Sequence, residues 1–311
     1  MLDVRRLRVL REVASHGSFS AAADALSYTQ SAVSQQIAAL EREAGSRLVE
    51  RSARGVRLTD AGRALVSHAD AILARLADAE DELQAIAGLR GGRLRVAAFP
   101  SACATLMPLA VRRFRELHPG VELSLLPADP DDARRLLRTG EADVALSIEA
   151  TFACTTPDDI ERVELLDDPM YIMLPAGHPL AGRARVRLGD LVDEQWMIGT
   201  TDTCPDASIF VRTCQAAGFE PRVAFHLDDY NAIQGFVAAG MGVSFIPDLA
   251  LVAVRDDVVI RSLGNKPPVR RIVATTLSGA FCSPAKSAML EVLVEVAGEF
   301  GARRHELALA S

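Results

Sequence analysis

The sequence predicts a mixed fold with a small helical N-terminal module, one long helix and an α/β body of two lobes. Apolar residues at helical spacing fill residues 4–44, and an apolar seam runs without a break through residues 59–89. From residue 92 onward, short β-like segments alternate with helical ones. A chain of 311 residues has room for two or three domains of ordinary size.

The composition indicates a globular protein, because 49% of the residues are hydrophobic and 24% are charged. No apolar run approaches the roughly 20 residues that a membrane span needs, so we expect a cytoplasmic protein. The five cysteines form no CxxC pair, and the six histidines lie far apart in the sequence. We therefore expect neither a disulfide framework, nor a metal, nor a cofactor.

The charge is distributed unevenly along the chain. Residues 1–64 carry ten arginines and seven acidic residues, which gives a net charge of +3. Because the whole chain carries −7, the other 247 residues carry −10. A basic N-terminal module on an acidic body is typical of a nucleic-acid-binding unit joined to a part that does not contact phosphate. An excess of three charges could also arise by chance.

The N-terminal module begins with three short helices. The spacing of apolar residues predicts the first over residues 4–14, and a second over SAAADAL, capped by Ser18 or Ser20. After the turn SYT, a third helix follows with the sequence TQSAVSQQIAALE. Its apolar residues Val33, Ile37 and Leu40 fall within about 60° on a helical wheel. The small second helix and the tight turn match the helix-turn-helix pattern.

Two elements connect this module to the body. The β-like runs RLVER and GVRLT flank a turn at 52–55 and predict a hairpin that carries several arginines, a basic wing. The long helix has apolar residues at alternating steps of four and three, as in a coiled coil, so we expect it to pair with a second copy. Packing against its own domain is the alternative. The seam consists of Leu65, Ala69, Ile72, Leu76, Ala79, Leu83 and Ile86.

After the linker LRGGR, two similar series of strands and helices follow. The first contains LRVAAF, a helix over 101–117, HPGVELSLLP, a helix over 131–138, ADVALSI and YIMLPAG. The second contains WMIGT, a helix over 207–217, RVAFHL, a helix over 228–239, VSFIP and RRIVATTL, with a last helix over 284–300. Two α/β lobes with a cleft between them are typical of a body that binds a small ligand.

The run from Phe19 to Gly62 resembles the winged helix-turn-helix of LysR-type transcriptional regulators almost position by position. The later runs LPAGHPL, CQAAGFEP and VAAGMGVSFIP resemble the effector domain of the same family, so the likeness covers about 3–295. It implies a periplasmic-binding-protein-like effector domain, a linker helix that dimerises, and tetramers built from dimers. A small molecule in the interlobe cleft would change the binding or bending of double-stranded promoter DNA.

The residue patterns and the resemblance together give the expected domain boundaries. The winged helix-turn-helix would occupy 1–58, the linker helix 59–89 and the effector domain 90–300, followed by a flexible tail at 301–311. Because the chain would cross twice between lobes, lobe I would combine 92–164 with 266–300. Lobe II would then comprise 165–265.

The third helix and the wing supply the expected DNA contacts. Glutamine can pair with adenine, and serine can contact a base or a phosphate. Each of these side chains could instead be a cap or a solvent-facing polar group, and Arg51 could pair with Glu50. We prefer Arg54 on the wing because the tip of a hairpin projects furthest. The expected contacts are Gln30, Ser31, Ser34, Gln35, Arg51, Ser52 and Arg54.

The effector site is expected where strands end. Ser101 and Ala102 open a helix directly after LRVAAF, and a helix start presents unpaired N–H groups to an anion. The segment GTTDTC would face them with Thr200, Thr201 and Thr203. These hydroxyls suit a small acid or a polar metabolite, although Asp202 is unfavourable for a carboxylate. Each residue could instead be a cap or a turn former.

Two alternatives compete with a ligand-responsive regulator. Cys204 and Cys214 could form a redox pair, as in peroxide-sensing members of the family, yet no basic residue beside Cys204 would lower its pKa. A second alternative is a two-lobed binding or enzymatic body whose N-terminal part serves only assembly. The sequence contains neither a GxSxG motif nor a phosphate-binding loop, so we do not expect an enzyme.

Overall fold

The computed structural model describes residues 1–52, 55–86, 92–150, 159–199, 205–263, 267–279 and 282–310. The chain divides into two compact units. One comprises Met1–Gly88 with Arg138–Glu141, and the other comprises Leu89–Leu137 with Ala142–Ser311. Within the described residues, every helix is too short or too polar to cross a membrane.

The N-terminal unit contains the predicted helix-turn-helix, wing and long helix. Each of the first three helices begins at a side-chain cap, from Asp3, Ser18 or Thr29. Ser27, in the turn between the second and third helices, adopts a left-handed backbone with φ of 55°. The elements are α1 (Val4–His16), α2 (Phe19–Leu26), α3 (Gln30–Ala44), β1 (Val49–Ser52), β2 (Gly55–Leu58) and α4 (Asp60–Ile86).

One apolar core holds α1, α2 and α3 together. Leu10 and Val13 of α1 are fully buried, and Val33 and Leu40 of α3 pack into the same cluster. Burying a side chain of this size stabilises the fold by about 1.5–3 kcal/mol. This core uses the apolar face of α3, so the polar face of α3 is left toward solvent.

The wing is fixed by hydrogen bonds to the helices. The Glu41 carboxylate of α3 accepts the backbone N–H of Leu48 at 2.8 Å, and the N–H of Val56 donates to the Gly17 carbonyl at 2.9 Å. A Cβ at Gly55 would lie 2.7 Å from the Gly17 oxygen, too close for any side chain. Glycine at this position therefore lets β2 approach the turn after α1.

Only the first residues of the apolar seam of α4 pack into the core of this unit. Leu65, Val66 and Ala69 pack against the helix-turn-helix core. Further along, Ile72 is 39% exposed, Leu76 43% and Leu83 66%. Most of the predicted seam therefore lies at the surface of the chain.

The second unit is built on a twisted mixed sheet. Its strands run in the order β4-β3-β5-β12-β6-β10-β8-β9, and β11 pairs with β6 and β7. Strands β3, β4 and β5 are mutually parallel along this order, as are β8, β9 and β10. The strands are β3 (Arg93–Ala98), β4 (Glu122–Pro127), β5 (Val144–Ala150), β6 (Ile160–Pro175), β7 (Arg185–Val186), β8 (Gln195–Ile198), β9 (Arg222–His226), β10 (Val243–Pro247), β11 (Val258–Leu263) and β12 (Val269–Leu277).

Helices cover this sheet and give each lobe its own core. In lobe I, Phe114 and Leu293 pack against strand residues such as Val96. In lobe II, the rings of Trp196 and Phe210 lie 4.8 Å apart between their centroids. The helices are α5 (Pro100–Ala104), α6 (Leu106–Leu117), α7 (Pro130–Arg138), α8 (Pro205–Ala216), α9 (Tyr230–Ala238) and α10 (Pro284–Ala310). The predicted fold of two α/β lobes is confirmed.

Strand β6 joins the two lobes. Its first part, up to Pro169, pairs with β12, and its second part, from Met170, pairs with β10 and β11. The chain therefore passes between lobes inside a continuous strand and returns between β11 and β12. Three of these features were not predicted from the sequence: the first part of β6, β7 and β11.

Two helices differ from the sequence-based expectation. The helix expected over 101–117 is interrupted at Thr105. Pro108 accounts for the break, because a proline ring clashes with the carbonyl four residues earlier, here that of Ala104. The last helix was expected to fray after Phe300, but it continues to Ala310. The Nε of Arg304 donates to the Asp248 carboxylate at 2.6 Å, which holds this extension against the body.

Candidate functional site

The exposed face of α3 carries amides and hydroxyls. Gln30, Ser31 and Gln35 are exposed, and Ser34 is half-buried beside them. The Thr29 hydroxyl accepts the Ala32 N–H at 3.2 Å and lies 3.0 Å from the Ser31 hydroxyl, so both help to start the helix. The four side chains proposed for DNA recognition therefore lie along the first two turns of a well-capped helix.

The wing lies beside this helix in the sequence and in the unit. Arg51 and Ser52 belong to strand β1, but their side chains lie outside the described part of the chain, as does the whole of Arg54. Arg57 on β2 is described and exposed. The described part of the hairpin therefore presents one arginine, Arg57, to solvent.

A cavity of about 270 Å³ lies between the two lobes of the second unit. It sits where parallel strands end: Phe99 follows β3, Asp129 follows β4, Gly199 follows β8 and Asp228 follows β9. In open α/β sheets, ligands bind at the carboxyl ends of parallel strands. The cavity therefore occupies the position where this fold binds small molecules.

A buried charge cluster forms one wall of the cavity. The Arg270 side chain on β12 is only 1% exposed. Its Nε donates to Asp168 at 2.6 Å, its Nη1 to Asp206 at 2.8 Å and its Nη2 to the Ser101 hydroxyl at 2.7 Å. The Tyr230 hydroxyl also donates to Asp206, at 2.8 Å. The cluster connects β12 and α5 of lobe I with α8 and α9 of lobe II.

Burial and pairing act in opposite directions on these charges. Burial opposes the charged guanidinium, but the carboxylates of Asp206 and Asp168 outweigh burial and raise the pKa of Arg270. Burial raises the pKa of Asp168, while Arg270 and the N–H of Leu249 act against that shift. Arg270 is therefore a permanent cation, and its charge is balanced by the carboxylates of the cluster.

The structure describes two of the residues that were predicted for the effector site, Ser101 and Ala102. Ser101 lines the cavity, but its hydroxyl accepts a hydrogen bond from Arg270. Ala102 is fully buried in the core of lobe I, away from the residues that line the cavity. Thr200, Thr201 and Thr203 lie outside the described residues.

Sequence reasoning missed the central groups of the cavity. Arg270 sits inside the strand RRIVATTL, and Asp168 sits in a part of β6 that was not predicted. Asp206 and Tyr230 open α8 and α9, where each would pass for an ordinary residue of a first turn. An arginine inside an otherwise buried strand was the one usable signal, because a buried charge requires a partner.

The cysteine pair of the redox alternative is described only in part. Cys204 lies outside the described residues. Cys214 is fully buried, and burial, with a smaller effect from Glu220, raises the pKa of its thiol to about 12. A buried, protonated thiol is unreactive, so its environment favours a role in the core.

Models of two protein families match this chain. The LysR substrate binding domain matches residues 87–298, and the bacterial regulatory helix-turn-helix of the lysR family matches residues 4–63. The chain is 32% identical over 301 residues to the probable HTH-type transcriptional regulator LrrA of Synechococcus elongatus, covering 96% of this chain and 98% of that protein. It is 30% identical over 279 residues to the transcriptional dual regulator GltC of Bacillus subtilis, covering 88% and 89%.

A solved structure has the same fold. Full-length CbnR, crystallised with its target DNA, superposes with a TM-score of 0.67 at 24% identity, over 95% of this chain and 100% of that one. Two matched domains thus account for most of the sequence, one for DNA binding and one for effector binding. Proteins built in this way are regulators and not enzymes. The chain belongs to the LysR family of bacterial transcriptional regulators.

Proposed function

We propose that this regulator reads promoter DNA through α3 and the wing, and that a small molecule in the interlobe cavity changes that binding. The observation that carries the proposal is the division of α3. Val33, Ile37 and Leu40 are buried, whereas Gln30, Ser31 and Gln35 are exposed. An exposed helix with no partner more often carries lysine and glutamate.

We assign the recognition of DNA sequence to α3 and the electrostatic attraction to DNA to the wing. Gln30, Ser31, Ser34 and Gln35 are proposed to contact base edges and nearby phosphates in the major groove. Arg51, Ser52 and Arg54 are proposed to contact phosphates or the minor groove. CbnR, which has this fold, has been crystallised with its target DNA, in support of this assignment. Because its target is chromosomal DNA, we place the protein in the cytoplasm, at the nucleoid.

Self-association through α4 fits this mode of binding. Ile72, Leu76 and Leu83 leave an apolar stripe on the surface of a 27-residue helix. A second copy could bury this stripe, and a two-fold dimer suits a partly palindromic site. Tetramers would then form from two dimers.

A ligand bound in the cavity could affect DNA binding by changing the spacing of the lobes. The residues around it come from both lobes, and the Arg270 cluster ties β12 to α8. A molecule that binds there would favour one spacing of the lobes over another. The arrangement of the DNA-binding modules in a dimer or tetramer would change in response.

A gel-shift titration with the intergenic DNA next to the gene tests the proposal. Wild type should give a sequence-selective shift that weakens as salt rises. Gln35→Ala should weaken specific binding at least tenfold, because a bidentate contact to a base is worth about 1–3 kcal/mol. Gln215→Ala, the same change at an exposed position of α8, is the control and should bind as wild type does.

Two results would reject the proposal. Binding by Gln35→Ala and Ser34→Ala at wild-type affinity would remove α3 as the reading element. The absence of any selective, salt-dependent shift would favour the alternative in which the N-terminal unit serves only assembly.

A further inference from the structure

We propose that the interlobe cavity selects a small ligand with a cationic amino or guanidino group, and that Asp206 receives that group. This inference rests on the proposed function, because it names the chemical class of the effector. From the sequence, the hydroxyls near the cleft suggested a small acid or a polar metabolite, and this inference departs from the first of these two.

The charged residues around the cavity are mostly acidic. Among the described residues that line it, the carboxylates are Asp129, Asp132, Asp206 and Asp228, and the single cation is Arg270. Asp129, Asp132 and Asp228 are exposed to solvent, and Asp132 pairs with Arg135 at 3.3 Å. A cleft lined by charges of one sign concentrates ligands of the opposite sign.

The positive charge of Arg270 is already paired with two carboxylates, those of Asp168 and Asp206. All three of its nitrogens already donate, to Asp168, Asp206 and Ser101. The side chain is 1% exposed and its guanidinium carbon lies 5.3 Å from the centre of the Phe99 ring. A carboxylate ligand would have to compete with two resident carboxylates for this cation.

Asp206 lines the cavity, and one of its carboxylate oxygens lacks a hydrogen-bond donor. Its Oδ2 accepts from both Arg270 and Tyr230. Its Oδ1 is buried and has no hydrogen-bond partner among the described residues. A buried acceptor without a partner is unfavourable, and an N–H of a ligand would satisfy it. A ligand carboxylate at the same place would meet a like charge.

The size and the walls of the cavity limit the rest of the ligand. A volume of about 270 Å³ lies below the usual range for drug-sized molecules. Phe99, Phe210 and Phe245 contribute aromatic surface, and aromatic rings also favour a nearby cation. A short alkyl or aryl chain ending in an ammonium or guanidinium fits these walls.

Binding at Asp206 would reach the joint between the lobes. Asp206 opens α8 in lobe II, whereas Arg270 lies on β12 in lobe I. A cation that shares the Asp206 carboxylate weakens its hold on Arg270. The same contact therefore selects the ligand and alters the link between the lobes.

Calorimetric titration of the full chain with matched probes tests this. The compounds 1,4-diaminobutane and adipate each have four methylenes and differ in the charge at their ends, and benzylamine and benzoate form an aromatic pair. We expect each amine to bind at least tenfold tighter than its matched acid. Acids that bind as tightly as the amines, or failure of all four probes to bind, would overturn the proposal.

Variants then locate the contact. Asp206→Asn should weaken binding of 1,4-diaminobutane at least tenfold, and Asp228→Asn, at an exposed position of the lining, should weaken it about threefold. Asp193→Asn, whose side chain is 82% exposed away from the cavity, is the control and should leave the affinity unchanged. Amine binding that is unchanged in both cavity variants would overturn the assignment to Asp206.

A gel shift on the same protein samples separates this inference from the proposed function. Salt-dependent promoter binding without amine binding rejects the ligand class and leaves the DNA-binding proposal intact. Loss of promoter binding by wild type rejects the proposed function whatever the calorimetry gives.

Discussion

Arg270 and Cys214 are both buried, and burial has opposite consequences for their charge. Two carboxylates and a hydroxyl surround the guanidinium, so Arg270 stays charged despite the loss of water. The Cys214 thiol lies in the apolar core of lobe II with Phe210, and its pKa is raised to about 12. Arg270 therefore acts through its charge, whereas Cys214 acts as a small apolar side chain.

The thiol of Cys214 should therefore resist modification. At pH 8 its thiolate fraction is very small, because the pH lies well below a pKa of about 12. Iodoacetamide should alkylate exposed Cys282 within minutes and leave Cys214 unmodified until the protein is unfolded in guanidinium. Peptide mass spectrometry measures both. A disulfide between Cys204 and Cys214 after peroxide treatment would contradict this and support redox sensing.

Helix α4 shows how one element can serve two surfaces. Its first turns bury Leu65 and Ala69 in the helix-turn-helix core, so α4 is rooted in the N-terminal unit. Its later turns expose Ile72, Leu76 and Leu83 at the same heptad spacing. An apolar stripe this long is unfavourable in water unless another surface covers it. The sequence pattern is continuous, and only the structure divides it into an internal and an external part.

A charge on the exposed part of the seam should weaken self-association. Leu76→Glu is expected to raise the dimer dissociation constant at least tenfold, or about 1.4 kcal/mol, because the carboxylate would be buried between helices. Sedimentation velocity across a range of protein concentrations measures this. Ala71→Glu introduces the same charge at an exposed position off the seam and should leave the constant unchanged. Equal effects of the two variants would exclude the seam as the interface.

At the scale of the whole molecule, the net negative charge and the basic DNA-binding module belong to different parts of the chain. The chain carries −7 in total, yet residues 1–64 carry +3. Because exposed charges beyond about 8–10 Å are screened at physiological salt, the net charge of the whole chain does not set the local attraction of the N-terminal module for DNA. The acidic body instead suits a ligand cavity with four aspartates along its lining.

The salt dependence of DNA binding should follow the wing alone. Arg54→Ala is expected to reduce the slope of log K against log salt by about 0.9, which corresponds to one lost phosphate contact. Fluorescence anisotropy with labelled promoter DNA between 50 and 200 mM salt, roughly the range in which this effect is large, measures the slope. Arg222→Ala removes an exposed arginine from lobe II and should not change it. A slope unaffected by Arg54→Ala would show that the wing tip does not contact phosphate.

Most of the architecture is readable from local patterns. Caps at Ser18 and Thr29, the split wheel of α3 and the heptads of α4 depend only on neighbours a few residues apart, and each of these three helices forms. The break before α6 also has a local cause, Pro108. It was not predicted, because the helical spacing of the apolar residues around Pro108 favoured one continuous helix.

The sequence alone therefore determined the helix-turn-helix, the wing, the seam and the two α/β lobes, because short-range periodicity specifies each of them. Only the tertiary structure determined which residues form the charged wall of the cavity. Ser101, Asp168, Asp206, Tyr230 and Arg270 come from five separate segments and meet only when β6 and β12 bring the lobes together. No spacing in the chain encodes that meeting, since a buried charge finds its partners through the fold and not through sequence distance.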